Sequence, residues 1–185
     1  MNGIIILDGQ DASGKTTLAE NIIKWNNGNG VILHATYRFK NKMPLYHTAL
    51  LKKAIKLSKN QLVILDRLHI SEYIYAKVYR GGTKWPWMLD VFNTICKILN
   101  IPIILCIPET YERGLVWFEQ AKKERPEMYE DIKEIIKEYC VYAYKHKYDK
   151  NIIIYNRDFA QFYKKIYTEN IKNKIFTLLG EQKNV

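Results

Sequence analysis

The chain has 185 residues, of which 48% are hydrophobic and 26% are charged, and its formal net charge is +10. This length suits one well-buried domain, and the composition is that of an ordinary globular protein. The longest uninterrupted apolar stretch, residues 101–108, is too short to cross a bilayer, and the first apolar run begins too early to leave room for a signal peptide. We therefore expect neither a membrane protein nor a secreted one.

Short apolar runs alternate with amphipathic stretches along the chain, which indicates a parallel sheet with helical crossovers. The predicted strands are residues 3–7, 31–35, 61–66, 101–107 and 151–155. The predicted helices are residues 15–27, 44–58, 70–79, 86–99, 109–146 and 159–178. We expect one α/β domain over residues 1–178, followed by a tail over residues 179–185. Ligands of such sheets bind at the carboxyl ends of the strands.

The longest predicted helix, residues 109–146, is expected to break at Arg125, because the following Pro126 disfavours a helical conformation of that residue. The half after the break has apolar residues at helical spacing and should pack on the core. The half before it, about residues 109–126, carries Arg113 and several lysines. We predict that this half is more solvated and forms a mobile helical lid.

The cysteines indicate the cellular compartment, and the lysines indicate the kind of ligand. Cys96, Cys106 and Cys140 are odd in number and widely spaced, so we expect free thiols in a reducing compartment and a cytoplasmic location. Lysines are spread along the chain without a block of five or more basic residues. This favours a lysine-rich surface on a protein with polyanionic ligands over a nucleic-acid surface.

The most informative segment follows the first strand, where residues 9–16 read G-Q-D-A-S-G-K-T and fit the phosphate-loop pattern G-x-x-x-x-G-K-[ST]. A strand, a glycine turn and a helix in this order point backbone N–H groups at an anion. Lys15 adds a positive charge for the β- and γ-phosphates, and the Thr16 hydroxyl suits Mg²⁺. We predict a nucleoside triphosphate site formed by Gly9, Asp11, Ala12, Ser13, Gly14, Lys15, Thr16 and Thr17.

A second pair of charged residues ends the third predicted strand. Asp66 follows an apolar run, a position from which a carboxylate can hold the Mg²⁺ that bridges the phosphates. Arg67 comes next, and its guanidinium can bind a second phosphate or the transferring group in a bidentate manner. The alternative is that Arg67 only neutralises Asp66.

These two segments, residues 9–17 and Asp66-Arg67 with the run 68–81 after it, resemble the thymidylate kinase and deoxynucleoside kinase superfamily in its small viral and bacterial forms. The resemblance implies a P-loop NTPase fold with a five-stranded parallel sheet in the order 2-3-1-4-5, ATP as the donor, and a lid over the donor phosphates. It also suggests a homodimer.

The resemblance implies roles for particular residues as well. Arg67 would hold the phosphate of the acceptor, and Asp11 would contact its sugar hydroxyl. Arg113 and Arg125 would act on the transferring phosphoryl group. On the third helix, Ser71 and Tyr75 share one face and are candidates for the acceptor pocket, as is Arg80, although packing roles are equally consistent with the pattern.

The segment after the second strand departs from the family pattern. Residues 35–40 read A-T-Y-R-F-K and keep only an arginine and an aromatic residue of the usual motif. Arg38 and Phe39 therefore either bind the phosphate and base of the acceptor or are ordinary loop residues.

The type of acceptor is predicted from the absence of acidic residues in one segment of the sequence. The sequence has no Asp or Glu between Glu20 and Asp66. Kinases that phosphorylate a hydroxyl commonly position a carboxylate to accept its proton. Deoxynucleoside kinases resemble one another in placing a Glu just after the second strand. A monophosphate is already an oxyanion, so we favour phosphorylation of a deoxynucleoside monophosphate, dTMP or a related pyrimidine nucleotide, to the diphosphate. Asp66 or Asp11 can also act as the base, so a hydroxyl acceptor on a deoxynucleoside or on a modified base in DNA is an alternative. A third hypothesis is a P-loop NTPase with a regulatory role.

Overall fold

The computed structural model describes residues 1–36, 42–124, 132–162 and 164–182. Its centre is a parallel sheet of five strands in the order β2-β3-β1-β4-β5, which confirms the predicted order. The strands are β1 (Gly3–Asp8), β2 (Gly30–His34), β3 (Leu62–Asp66), β4 (Ile103–Cys106) and β5 (Ile152–Tyr155). The helices are α1 (Lys15–Trp25), α2 (Met43–Leu57), α3 (His69–Arg80), α4 (Trp87–Ile98), α5 (Tyr111–Glu124), α6 (Ile132–His146), α7 (Arg157–Phe162) and α8 (Lys164–Gly180).

Helices cover both faces of the sheet, because the central strands are apolar on both sides. On β1, Ile4 and Ile6 pack into the core beneath α2, α3, α4 and α6, whereas Ile5 and Leu7 pack into a second core beneath α1 and α8. This alternation follows from the two-residue period of a strand. No helix among the described residues is both long enough and apolar enough to span a membrane.

Strand register brings the candidate residues to one edge. Leu7 of β1 pairs with Asp66 of β3, and Asp66 pairs in turn with His34 of β2. The carboxyl ends of β1, β2 and β3 therefore lie side by side, and the loop that follows β1 begins at this edge, beside β4. This is the edge where ligands of parallel sheets bind.

The segment that we expected to be a solvated lid is a packed helix where it is described. Trp117 and Phe118 of α5 are buried, and Phe118 contacts the apolar face of α6. Gly114 allows this close packing, because a Cβ atom there would lie 2.8 Å from Ile136 Cγ2. Residues 111–124 thus bury one apolar face, and the lid role stays a prediction. The predicted break at Arg125 and Pro126 lies outside the described residues.

The end of the chain also differs from our expectation. Leu179 is buried, and the side chain of Gln182 forms a pair of hydrogen bonds with the backbone of Ile4, at 2.9 Å from the Ile4 N–H and 2.6 Å to its carbonyl. Residues 179–182 therefore pack against the first strand and are not a tail. The sequence signal was weak because these contacts join residues that are far apart in the chain.

All three cysteines are free thiols, and burial raises the pKa of Cys96 and of Cys106 to about 12.

Candidate nucleotide-binding site

The loop between β1 and α1 has the backbone conformation that a phosphate loop needs. Gly9 and Gly14 have positive φ angles of 147° and 85°, and Ala12 lies in the left-handed region at 64°. A Cβ atom on Gly9 would lie 2.2 Å from the carbonyl oxygen of Cys106, so only glycine fits against β4. Residues 11–17 line a cavity of about 430 Å³ with His34, Asp66, Arg67, Ala121 and Arg157.

Lys15 folds back on this loop. Its Nζ donates hydrogen bonds to the carbonyl oxygens of Gly9 and Gln10, at 3.0 and 2.7 Å, and lies 3.5 Å from Ser13 Oγ. Burial, together with the nearby positive charge of Arg67, lowers the pKa of Lys15 to about 8. The ammonium group is thus held by neutral acceptors beside the predicted phosphate site.

Arg67 is held at the same cavity by a charged partner. Its Nη2 donates to Asp11 Oδ1 at 2.5 Å, and its Nη1 donates to the Gly9 carbonyl at 2.9 Å and to Ser71 Oγ at 3.2 Å. The guanidinium also lies 5.1 Å from the ring centre of Tyr75, whose hydroxyl donates to Asp11 Oδ2. Arg67 therefore pairs with Asp11 rather than with Asp66, and the structure places Ser71 and Tyr75 beside it.

The Asp66 carboxylate has one oxygen available for a further ligand. Its Oδ2 is 2.8 Å from His34 Nδ1, whereas its buried Oδ1 has no hydrogen-bond partner among the described residues. The exposed Thr16 lines the same cavity. Carboxylate and hydroxyl oxygens are the ligands that Mg²⁺ prefers, and Mg²⁺ commonly takes only one or two protein ligands beside phosphates and water. The residues present therefore fit the predicted magnesium site.

Asp8 is a site residue that the sequence analysis missed. It is fully buried, and its carboxylate accepts hydrogen bonds from the backbone N–H groups of Gly9, Leu68 and Ser71 and from the hydroxyls of Ser71 and Tyr139. One side chain thus joins the phosphate loop, the start of α3 and the middle of α6. A carboxylate at the end of an apolar strand, directly before the glycine loop, was the available signal.

The remaining acceptor candidates divide into two groups. Arg80 forms an ion pair of 2.7 Å with Glu72, which is buried, and burial raises the pKa of Glu72. Glu72 lines a narrow pocket beside Arg67 with Thr36 and His47. Arg80 does not line this pocket, and it is connected to the pocket by its ion pair with Glu72. Arg38, Phe39 and Arg125 lie outside the described residues.

A cluster of charged and aromatic residues borders the other side of the loop. The Nε of Arg113 donates to Asp158 Oδ2 at 2.5 Å, and the indole N–H of Trp117 donates to the same carboxylate. Arg157, which the sequence analysis did not select, stacks on Trp117 and donates to the Ala12 carbonyl. These residues adjoin a cavity of about 710 Å³ between α1, α5, α7 and α8.

No protein-family model and no curated protein matches the sequence. Among solved structures, the YorR protein of Bacillus subtilis, in complex with phosphorylated GDP, matches with a TM-score of 0.67 and 17% identity over 96% of each chain. Deoxyadenosine kinase of M. mycoides with bound dATP matches with a TM-score of 0.55 and 18% identity over 94% of this chain and 99% of that one.

The chain has the fold of the P-loop nucleotide kinases. This result confirms the fold class that the phosphate loop and the Asp66-Arg67 pair predicted. A thymidylate kinase from Ehrlichia chaffeensis also matches, with a TM-score of 0.48 and 15% identity over 97% of this chain and 98% of that one.

Proposed function

We propose that the chain transfers the γ-phosphoryl group of ATP to the phosphate of a deoxynucleoside monophosphate, dTMP or a related pyrimidine nucleotide. The observation that carries this proposal is the position of Arg67. A guanidinium only 7% exposed borders the same 430 Å³ cavity as the phosphate loop, where it can hold a second anion opposite the donor phosphates.

The donor is assigned to the two adjoining cavities. The phosphate loop and Lys15 would bind the triphosphate, and the 710 Å³ cavity beside Trp25 and Gln161 is large enough for the nucleoside. The dATP bound by the M. mycoides deoxyadenosine kinase supports a nucleotide ligand for this fold. Residues 109–126 would then cover the donor as a lid, since α5 contributes Gln120 to one cavity and Ala121 to the other.

The acceptor is assigned to the Arg67 side of the 430 Å³ cavity, because the pocket between Arg67 and Glu72, at about 10 Å³, is too small for a nucleotide. Its phosphate would take the place of the Asp11 carboxylate on Arg67, which frees Asp11 and Tyr75 to contact the sugar. An acceptor phosphate oxygen then forms a bond to the γ-phosphorus while the bond from that phosphorus to the β–γ bridging oxygen breaks, and ADP leaves. No proton has to be removed from such an acceptor.

Thr16 and Asp66 would hold Mg²⁺, which supplies positive charge to the phosphates when it is bound. Residues of the chain would orient the two substrates. Lys15 and the N–H groups of the loop orient the donor, and Arg67 orients the acceptor. Preorganised cations of this kind are worth about 10² to 10³ in rate in comparable sites.

A hydroxyl acceptor is the second candidate, and one contact favours it. His34 ends the strand after which related kinases place their catalytic base, and its Nδ1 is 2.8 Å from Asp66. A histidine oriented by a carboxylate can accept a proton from a hydroxyl. In this alternative His34 is the base, and the acceptor is a deoxynucleoside or a modified base in DNA.

A transfer assay with γ-labelled ATP separates these hypotheses. Deoxynucleoside monophosphates, deoxynucleosides and duplex DNA with hydroxymethylated bases are each offered to the wild type and to His34→Ala. We expect labelled diphosphate from a monophosphate, with His34→Ala losing less than about 10-fold because no base is needed. Label in nucleosides or DNA, lost in His34→Ala, would overturn the monophosphate proposal. Slow hydrolysis that no acceptor stimulates would favour a regulatory NTPase.

A further inference from the structure

Arg157 lies where the two cavities of the site meet. It is the first residue of α7, two residues after the end of β5, and it lines both the 710 Å³ and the 430 Å³ cavity. The other residues common to both cavities, Gly14 and Thr17, belong to the phosphate loop and α1. A nucleotide with its nucleoside in one cavity and its phosphates in the other must therefore pass between this loop and Arg157.

The guanidinium of Arg157 is held in place by neutral groups. Its Nη1 donates to the Ala12 carbonyl at 2.6 Å, and its Nη2 donates to Gln120 Oε1 at 3.2 Å. Its central carbon lies 4.5 Å from the ring centre of Trp117, a stacked arrangement that orients the planar group. Because no carboxylate is among these three partners, a phosphate can replace the Ala12 carbonyl without breaking an ion pair at Arg157.

Arg113, one of the two arginines that the resemblance implied for the transferring phosphoryl group, is placed differently. Its Nε is bound to the Asp158 carboxylate at 2.5 Å, and its side chain is 43% exposed. The same carboxylate accepts the indole N–H of Trp117, at 3.0 and 3.1 Å from its two oxygens. Arg113 thus fixes Asp158, Asp158 fixes Trp117, and Trp117 supports the guanidinium of Arg157.

We propose that Arg157 is a catalytic residue that contacts the phosphate chain of the donor nucleotide, and that Arg113 is a positioning residue that acts through Asp158 and Trp117. This inference rests on the proposed function only in taking ATP as the donor. Guanidinium suits the role because its fixed fork of N–H groups matches phosphate oxygens.

Equilibrium binding tests the assignment without any acceptor. The affinities for ATP and for adenosine are measured for the wild type, Arg157→Ala, Arg157→Lys and the surface control Lys172→Ala, with folding checked by circular dichroism. We expect Arg157→Ala to bind ATP about 10- to 100-fold more weakly and adenosine almost unchanged, as for the loss of charge-assisted hydrogen bonds. Arg157→Lys should show a smaller loss, and it carries the same comparison if Arg157→Ala fails to fold.

Two results would overturn the assignment. Equal losses for ATP and adenosine would show that Arg157 supports the nucleoside cavity and not the phosphates, and an unchanged affinity for ATP would remove its role altogether. A wild type that binds ATP with the expected dependence on Arg157, yet transfers phosphate to no acceptor, would overturn the proposed function and support this inference.

Discussion

The proposed donor side and the proposed acceptor side of the 430 Å³ cavity hold their cations in different ways. On the donor side, Lys15 and Arg157 donate to backbone carbonyls and a side-chain amide. On the acceptor side, Arg67 is paired with the Asp11 carboxylate, and its neighbour Ser71 is bound to buried Asp8. A hydrogen bond to a neutral group is weaker than one to an ionised group. The donor side is therefore arranged to exchange partners readily, whereas the acceptor side is held in one geometry until an anion competes with Asp11.

Removing the donor-side ammonium should have the largest effect on catalysis. For Lys15→Ala we expect turnover to fall by about 10³-fold with the fold retained, because the partners of Lys15 among the described residues all belong to its own loop. Steady-state kinetics and a thermal melt make the measurement, with the exposed Lys24→Ala on the same helix as the control. A variant that kept most of its turnover would show that the loop amides alone carry the donor side.

On the acceptor side, Arg67→Ala should lower kcat/KM for the acceptor by at least about 10²-fold while the affinity for ATP changes little. The split follows from the proposed roles, since Arg67 pairs with Asp11 on the proposed acceptor side of the 430 Å³ cavity. Arg67→Lys keeps the charge and should recover only part of the loss, because an ammonium lacks the fork that spans Gly9, Asp11 and Ser71. Full activity in Arg67→Ala would remove the basis of the proposed acceptor site.

Asp8 connects the two sides, so its removal should affect both. Asp8→Ala removes the buried carboxylate to which the backbone N–H groups of Leu68 and Ser71 and the hydroxyl of Tyr139 all donate. We expect the free energy of unfolding to fall by about 3 kcal/mol, the usual cost of breaking a buried charged network. Urea denaturation measures this, with the exposed Asp90→Ala as the control. A change below about 1 kcal/mol would show that the network contributes little to stability.

The smallest effect concerns pH. The pKa of Lys15 falls from 10.5 to about 8 on folding, so the unfolded chain binds more protons between these values and stability should rise as pH increases through that range. The contribution of Lys15 is at most about 3 kcal/mol on this scale. Denaturation of the wild type and of Lys15→Met at pH 7.5 and 10 measures it as a difference between the two slopes. Parallel slopes would mean that Lys15 is not desolvated.

The local features of this site were readable from the sequence. The phosphate loop, the Asp66-Arg67 pair and the strands were predicted from short segments, because strand and helix periods and a loop motif are properties of neighbouring residues. The strand order followed only from the resemblance that these segments carry. The expected ends of the strands differ from the observed ends by at most two residues.

What the sequence did not reveal depends on distant contacts. Asp8 meets Tyr139 and Arg157 meets Ala12 across more than a hundred residues of chain, and no local pattern encodes either pair. The buried face of α5 is a further example. Its charged residues do not show that Gly114 and Phe118 pack against α6.

The contact between Gly9 and β4 bears on how the chain can evolve and be engineered. Since even a methyl group at residue 9 would collide with the Cys106 carbonyl, the loop packs directly against the sheet. Residue 9 therefore has to stay glycine, and changes in phosphate affinity are more readily engineered at the cations around the cavity than in this backbone.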